Sequence, residues 1–446
     1  MQTIKLPDEA KVVLGLMEDC GEEAYVVGGC VRDSLLGKAP HDWDICTSAT
    51  PQKITEIFTS AGFPVIPTGI RHGTVTVPVD GHGIEVTTFR TDGRYSDGRR
   101  PDTVAFTTDL REDLARRDFT INAMAYSEKK GIIDPFGGMM DLEDGIIRCV
   151  GLPMERFQED ALRILRAIRF SSTLGFAVGF DTFEAALASV DNLQHVAQER
   201  KQKELVSLLQ GQNIRNVLMN YRSILAEVIP EIRPCFGFLQ RNPWHIFDVW
   251  EHIVTAVESA PQDDWLLRLI LLLHDIGKPI CYEEDEHGVG HFHEHGKESE
   301  RIAREVLTRL RFPRAVVEET TKIVGIHDRV IEATPKAVRR LMAQLGKEEL
   351  FMLLKVRTAD IKAQNPALIE ERMKKETMLL EIAQEVVDSS DCLTLKDLAI
   401  SGRDLIAAGA KPGPEVGQKL RILLEKVIED PSLNTRKKLL ELEKSI

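Results

Sequence analysis

YVVGGCVRDSLLGKAPHDWDICT, residues 25–47, is the stretch that decides the fold. Tyr25, Val26 and Val27 read as an apolar strand, Gly28 and Gly29 as a turn, the residues around Arg32 and Asp33 as a short helix, and the segment bearing Asp42 and Asp44 as a second strand. Alternate strand residues share a face, so Asp42-x-Asp44 sets two carboxylates side by side. Such a pair is costly without a cation between its members, and Mg2+ is the usual choice where phosphates are handled. The glycine pair lets the main chain approach an anion, and Arg32 can pair with a phosphate oxygen. Glycines, arginine and aspartates together spell phosphoryl or nucleotidyl transfer; the aspartates alone read equally well as acids on a solvated turn.

Outward from this stretch, residues 1 to about 22 carry Val12, Val13, Leu16 and Met17 at helical spacing, and Thr50-Pro51 opens a helix running to Ser60. Gly73–Val77 and Ile84–Phe89 are β-branched, alternating runs about the turn Asp80-Gly-His-Gly83, a hairpin signal. Glu85, on the second run, is either a third carboxylate near the aspartate pair or an outward-facing strand residue. Residues 89–106 hold Arg90, Arg94, Arg99 and Arg100 without either period and read as a loop. Arg116-Arg117-Asp118-Phe-Thr-Ile-Asn122 is expected to open a helix capped by Asp118 or Thr120. Paired arginines at a helix start gain nothing from its dipole, which favours a phosphate partner for them. Strands at Ile132 and at Gly145–Val150 close an α/β unit near residue 150.

Helices dominate from there. On a helix over Glu159–Phe170, Ile164, Leu165 and Ile168 form an apolar side while Asp160, Arg163, Arg166 and Arg169 lie round the other. That row is a solvated helix face or, beside a nucleotide-transfer site, a working one. Asp160 accepts and Arg163 donates, three residues apart, which complements an exocyclic amino group next to a ring acceptor. Cytosine and adenine both present that pair; uracil and guanine set a carbonyl against the carboxylate. The basic run Glu199-Arg-Lys-Gln-Lys-Glu204 either faces RNA phosphates or is merely solvated, and Pro230–Trp244, rich in proline and glycine, marks a boundary.

Beyond the boundary, most of the chain's twelve histidines crowd between Trp244 and Val330. His252, His274-Asp275, His295, His327-Asp328 and Asp360 supply imidazoles and carboxylates in otherwise apolar helical surroundings, a mixed ligand set that suits Mn, Fe, Co, Ni or Mg. Metal-assisted phosphoester hydrolysis is the chemistry such a set implies.

The 446 residues, 43% hydrophobic and 28% charged, are those of a globular protein of several domains. Neither a secretory leader nor a membrane span is visible, so a cytoplasmic location is expected. Seven scattered cysteines, an odd number without a CxxC pair, indicate neither disulfides nor a thiolate zinc site. A net charge of −13 argues against a surface coated for nonspecific nucleic-acid binding but leaves room for a local basic groove.

Gly28-Gly29-x-Val-Arg32-Asp33, Asp42-x-Asp44, Arg116-Arg117-Asp118-Phe-Thr-Ile-Asn122 and Glu159-Asp160-x-x-Arg163 occur in an order that resembles the motifs of the class II tRNA nucleotidyltransferases and bacterial poly(A) polymerases, over about residues 20–235. The resemblance implies an α+β architecture: a mixed-sheet catalytic head (1–150), a helical neck (151–235), an HD-like helical domain (236–365) and a helical tail (366–446). It also implies Mg2+ on Asp42 and Asp44, nucleotide contacts from Gly28, Gly29, Arg32 and Arg117, and a nucleotide-selecting helix bearing Asp160, Arg163, Arg166 and Arg169. The partners implied are CTP, ATP and the tRNA 3′ end, for a monomer or homodimer. The later set is similar to an HD phosphohydrolase site, with His252, His274, Asp275 and Asp360 as ligands and His295 and His327 for a second metal. Addition of C, C and A is the function expected; the alternatives are a poly(A) polymerase, an enzyme narrowed to CC or A, and an HD phosphodiesterase or phosphatase that uses the head as an RNA anchor.

Overall fold

The computed structural model describes residues 3–93, 103–389 and 391–445, which divide into two compact units, Met1–Pro230 and Glu231–Ile446. Arg94, Arg99 and Arg100 of the arginine-rich loop lie outside the described residues. The flanks of that loop are not irregular: Arg90–Asp92 and Val104–Phe106 pair as antiparallel strands.

The first unit is built on β1 (Ala24–Val27), β2 (Asp44–Thr47), β3 (Ile66–Gly69), β4 (Thr74–Val79), β5 (His82–Thr88), the paired β6 (Arg90–Asp92) and β7 (Val104–Phe106), β8 (Ala125–Ser127) and β9 (Gly131–Ile133). Seven of these form one sheet in the order β3-β4-β5-β2-β1-β8-β9. Only the β2–β5 pair in it is parallel. All four residues of β1 are buried, as a strand with a neighbour on each side and material on both faces requires. Val75, Val77 and Val79 of β4 alternate into a core shared with Ala10, Val13, Leu14 and Met17 of the helix Asp8–Asp19 and with Ile54, Ile57 and Phe58 of the helix Pro51–Ser60. The expected hairpin turn contracts to Asp80 and Gly81, both at positive φ (49° and 86°), the geometry whose twist matches the strands it joins.

Three expectations are corrected. First, β2 begins at Asp44, so Asp42 stands just ahead of the strand and not on it. β1 leaves the sheet at Gly28, whose φ of 83° starts the helix Gly29–Leu35, and the last registered pair is Val26 with Ile45. Second, Arg116 and Arg117 do not open a helix: they follow the helix Leu110–Ala115, at the end where the dipole favours cations. Thr120–Asn122 is a single 3-10 turn. Third, the helix over residues 159–170 is two helices, Pro153–Glu159 and Leu162–Leu174, separated by Asp160 in an extended conformation (φ −147°, ψ 101°). Asp160 turns its carboxylate onto the Leu162 amide at 3.1 Å, the local bond by which aspartate competes with helix continuation. Gly145–Val150 supplies only Ile146–Ile147, paired in parallel with Ala177–Val178 outside the main sheet.

Among the described residues, the regular structure of the second unit is helical apart from the hairpin Tyr282–Glu284 and Gly290–Phe292. Helices Val249–Ser259, Trp265–Leu273, His295–Arg309, Arg314–Ile326 and Lys347–Lys362 bring together His252, His274, His295 and His327, and Leu405, Leu423, Val427 and Leu439 centre a further apolar cluster toward the C-terminus.

Candidate active site and metal centre

The β1–helix turn builds the floor of the first site. Gly28 is confined to glycine twice over, by its positive φ and because a Cβ there would stand 3.0 Å from Nη1 of Arg117. On the helix that follows, Arg32 is 9% exposed and fully committed in direction: Nη1 donates to Oδ1 of Asn122 at 2.6 Å and Nε to Oδ1 of Asp33 at 2.8 Å. Asn122 in turn donates to Oδ1 of Asp118 at 3.1 Å, and Nε of Arg166 donates to Oδ2 of the same carboxylate at 2.8 Å. Burial works to raise the Asp118 pKa, but the Arg166 guanidinium and the Asn122 amide overcome it and hold the group well below the usual carboxylate range.

Gly28, Arg32, Arg117, Asp118, Asn122 and Arg166 line one open cavity of about 490 Å³, together with Gly29, Asp44, Asp160, Arg163, Arg169 and Arg200. Seven arginines and three aspartates face it, an excess of positive charge that fits a polyphosphate. Asp44 stands beside Glu85 in the β2–β5 register, and paired strand residues share a face, so Glu85 is the third carboxylate of this edge. Burial, then Glu85, raises the Asp44 pKa, with Asp42 adding to it and Arg117 opposing. An acid edge strained in this way fits a divalent cation.

On the opposite wall both oxygens of Asp160 accept from Arg200, at 3.2 and 2.7 Å. Arg163 donates from Nη1 to Oε2 of Glu159 at 2.6 Å and from Nη2 to the Arg116 carbonyl at 2.9 Å. Arg169 donates to Glu204 at 2.9 Å and lies 3.6 Å over the Phe170 ring. The sequence reading missed Arg200 and Glu204 as members of this wall. Their spacing, four apart on the helix Gln198–Leu209, was the available signal, since it puts both on one helix face.

In the second unit, four imidazoles meet from four helix ends or faces. Each commits Nδ1 to a main-chain carbonyl: His252 to Ala363 at 3.2 Å, His274 to Leu271 at 2.6 Å, His295 to Phe292 at 2.8 Å and His327 to Val324 at 2.7 Å. That leaves every Nε2 turned inward as a potential ligand atom. Asp275 stands between them, its Oδ2 3.1 and 3.2 Å from Nε2 of His252 and His274, its Oδ1 3.3 and 3.5 Å from Nε2 of His295 and His327. Asp360 completes the first group at 2.9 Å from His252. Nε2 of His252 and His274 and both Asp275 oxygens are buried without a hydrogen-bond partner, so the donor set fits a metal. Lys278 lies against Asp275 at 2.7 Å and also donates to Gln240 at 2.8 Å. Burial, then the Lys278 charge, drives the His245 pKa down to about 2, so its Nε2, 3.3 Å from Lys278, is an acceptor.

A mixed-sheet head with an acidic strand edge beside an arginine-walled cavity defines a nucleotidyltransferase. The family model described as the Poly A polymerase head domain matches residues 24–148, and that described as tRNA nucleotidyltransferase domain 2 matches residues 292–442. The CCA-adding enzyme of Levilactobacillus brevis is 35% identical over 431 residues, 96% of each chain. That of Ligilactobacillus salivarius is 50% identical over 219 residues, covering 48% of this chain and 53% of the relative. The crystal structure of the Bacillus stearothermophilus CCA-adding enzyme in complex with CTP superposes with a TM-score of 0.70 at 30% identity, over 98% of this chain and 96% of that one. The chain belongs to the CCA-adding enzymes, a family of nucleotidyltransferases that work with a divalent metal. No helix among the described residues is long and apolar enough to cross a membrane.

Proposed function

We infer that this protein extends the tRNA 3′ end with C, C and A from CTP and ATP and releases pyrophosphate. The cavity carries the reading: it joins the Asp44 edge, the glycine turn and the Asp160 wall in one space of about 490 Å³. Asp42 and Asp44 would hold Mg2+, which would supply Lewis-acid chemistry for the terminal 3′-hydroxyl and charge compensation for the α-phosphate. Gly28 and Gly29 let the triphosphate lie on the main chain, Arg32 and Arg117 grip it, and Arg166 and Arg169 extend the positive wall. With Arg200 and the Leu162 amide attached, Asp160 keeps one acceptor position, on Oδ2, for an exocyclic amino group, and Arg163 supplies the neighbouring donor. We assign residues 1–150 to the head, 151–235 to the neck, 236–365 to an HD-type body and 366–446 to the tail, in a cytoplasmic enzyme. Purified protein given tRNA lacking its 3′ end and one labelled nucleotide at a time is expected to add C before A and A once. Asp42→Ala abolishes this and His274→Ala does not; poly(A) tails on any RNA would sink the reading.

A second reading is favoured by the four inward Nε2 atoms: His252, His274, Asp275 and Asp360, with His295 and His327 beside them, as a Mn, Ni, Co or Fe centre for phosphoester hydrolysis. Release of phosphate from a model ester that survives Asp42→Ala and vanishes with His274→Ala is the expected result.

A further inference from the structure

Asp113 sits in the helix Leu110–Ala115 with no exposed surface, yet it touches none of the space a substrate would occupy. A buried carboxylate needs compensation, and one arginine would neutralise it. Asp113 has two: its Oδ1 accepts from Nε and Nη2 of Arg116 at 3.0 and 2.8 Å, and its Oδ2 from Nη2 of Arg117 at 3.3 Å. It also accepts the Arg90 main-chain amide of β6 at 3.3 Å, so one carboxylate ties that strand to both arginines. Burial would raise its pKa, but Arg117 and Arg116 hold it below the usual carboxylate range, and it stays charged.

The consequence falls on Arg117. With Nη2 tethered from behind, its guanidinium is pressed on the Gly28 turn, Nη1 3.0 Å from where a Cβ would stand, and its Nε is buried without a partner. A guanidinium holds its donors in one plane, so fixing one nitrogen aims the others. We propose that Asp113 is a positioning residue for nucleotide binding, which aims Arg117 at the triphosphate and does so independently of the base. This rests on Arg117 gripping the phosphates, as inferred above.

Tripolyphosphate as a competitor of CTP tests it, because it carries phosphates and no base. Asp113→Asn keeps the shape and removes the charge; the expected result is a rise of about tenfold in the tripolyphosphate Ki and a matching rise in KM for both CTP and ATP, with kcat changed less than threefold. Asp113→Glu, which keeps the charge and guards against a folding failure of the first variant, is expected to recover most of the tripolyphosphate affinity. Combined with Arg117→Gln, Asp113→Asn should cost no further tripolyphosphate affinity, since the residue acts through Arg117. An unmoved Ki in Asp113→Asn, or additive losses in the double variant, overturns the role of Asp113. Failure of the unaltered protein to transfer CMP would instead overturn the transferase reading itself.

Discussion

At Gly28 the backbone and a neighbouring side chain set the same restriction. Its φ of 83° and the 3.0 Å approach of Arg117 mean that Gly28→Ala meets strain and a clash at once. The expected cost is roughly 1–2 kcal/mol in urea unfolding, accompanied by a higher KM for CTP as Arg117 is displaced. Arg200 is the residue whose substitution should separate binding from choice. Without its two bonds the Asp160 carboxylate is held by the Leu162 amide alone, so Arg200→Gln is expected to narrow the preference for CTP over UTP several-fold in single-nucleotide incorporation, while KM for CTP shifts less. Asp118 gives the pH dependence. Its folded pKa is depressed, so its contribution is present above the unfolded value and lost as pH falls through about 4 and below. Asp118→Asn should therefore flatten the acid limb of a stability-versus-pH curve, measured by denaturant midpoint; an unchanged limb would refute the assignment.

Among the elements, the break at Asp160 separates what sequence can carry from what it cannot. Asp160→Ala removes the bond to the Leu162 amide and both bonds to Arg200 and is expected to cost about 2 kcal/mol in urea unfolding, the scale of hydrogen bonds lost from a charged group. Helical periodicity grouped Asp160, Arg163, Arg166 and Arg169 near one wall, because the period survives an interruption of two residues, Asp160 and Ala161. It could not show the interruption, since an aspartate is tolerated in a helix and the Arg200 that pairs with this one comes from another helix. The Arg116-Arg117 pair failed differently. The acidic, leucine-bearing residues 110–115 before it formed the helix, and the pair became its end; a helix of six residues is too short for a periodic signal. The Asp80-Gly81 turn was legible because its chemistry is local: two positive φ angles need residues of that kind.

For the whole molecule, two compact units divide at Pro230, inside the proline-rich stretch that marked a boundary in the sequence. The mixed α+β class and the family followed from motif order, whereas the seven-stranded order could not, because the pairing of β2 with β5 across the intervening strands is a long-range choice. The second unit offers a test of its own. A cation bound only by the folded state at a hundred times its Kd stabilises by about 2.7 kcal/mol, so Mn2+ or Co2+ should raise the melting temperature of the unaltered protein and leave His274→Ala nearly unmoved.

The main-chain tethers on the four imidazoles have one more consequence. Rings held by Nδ1 do not have to search among rotamers when an ion arrives, so little reorganisation separates one transition metal from the next. Nitrogen and carboxylate donors of fixed aim rank divalent ions by their intrinsic order, with little protein-imposed preference. An ion taken up there would then reflect the free concentrations that the cell's metal homeostasis maintains, and growth medium becomes a variable for any metal assay of this centre to control.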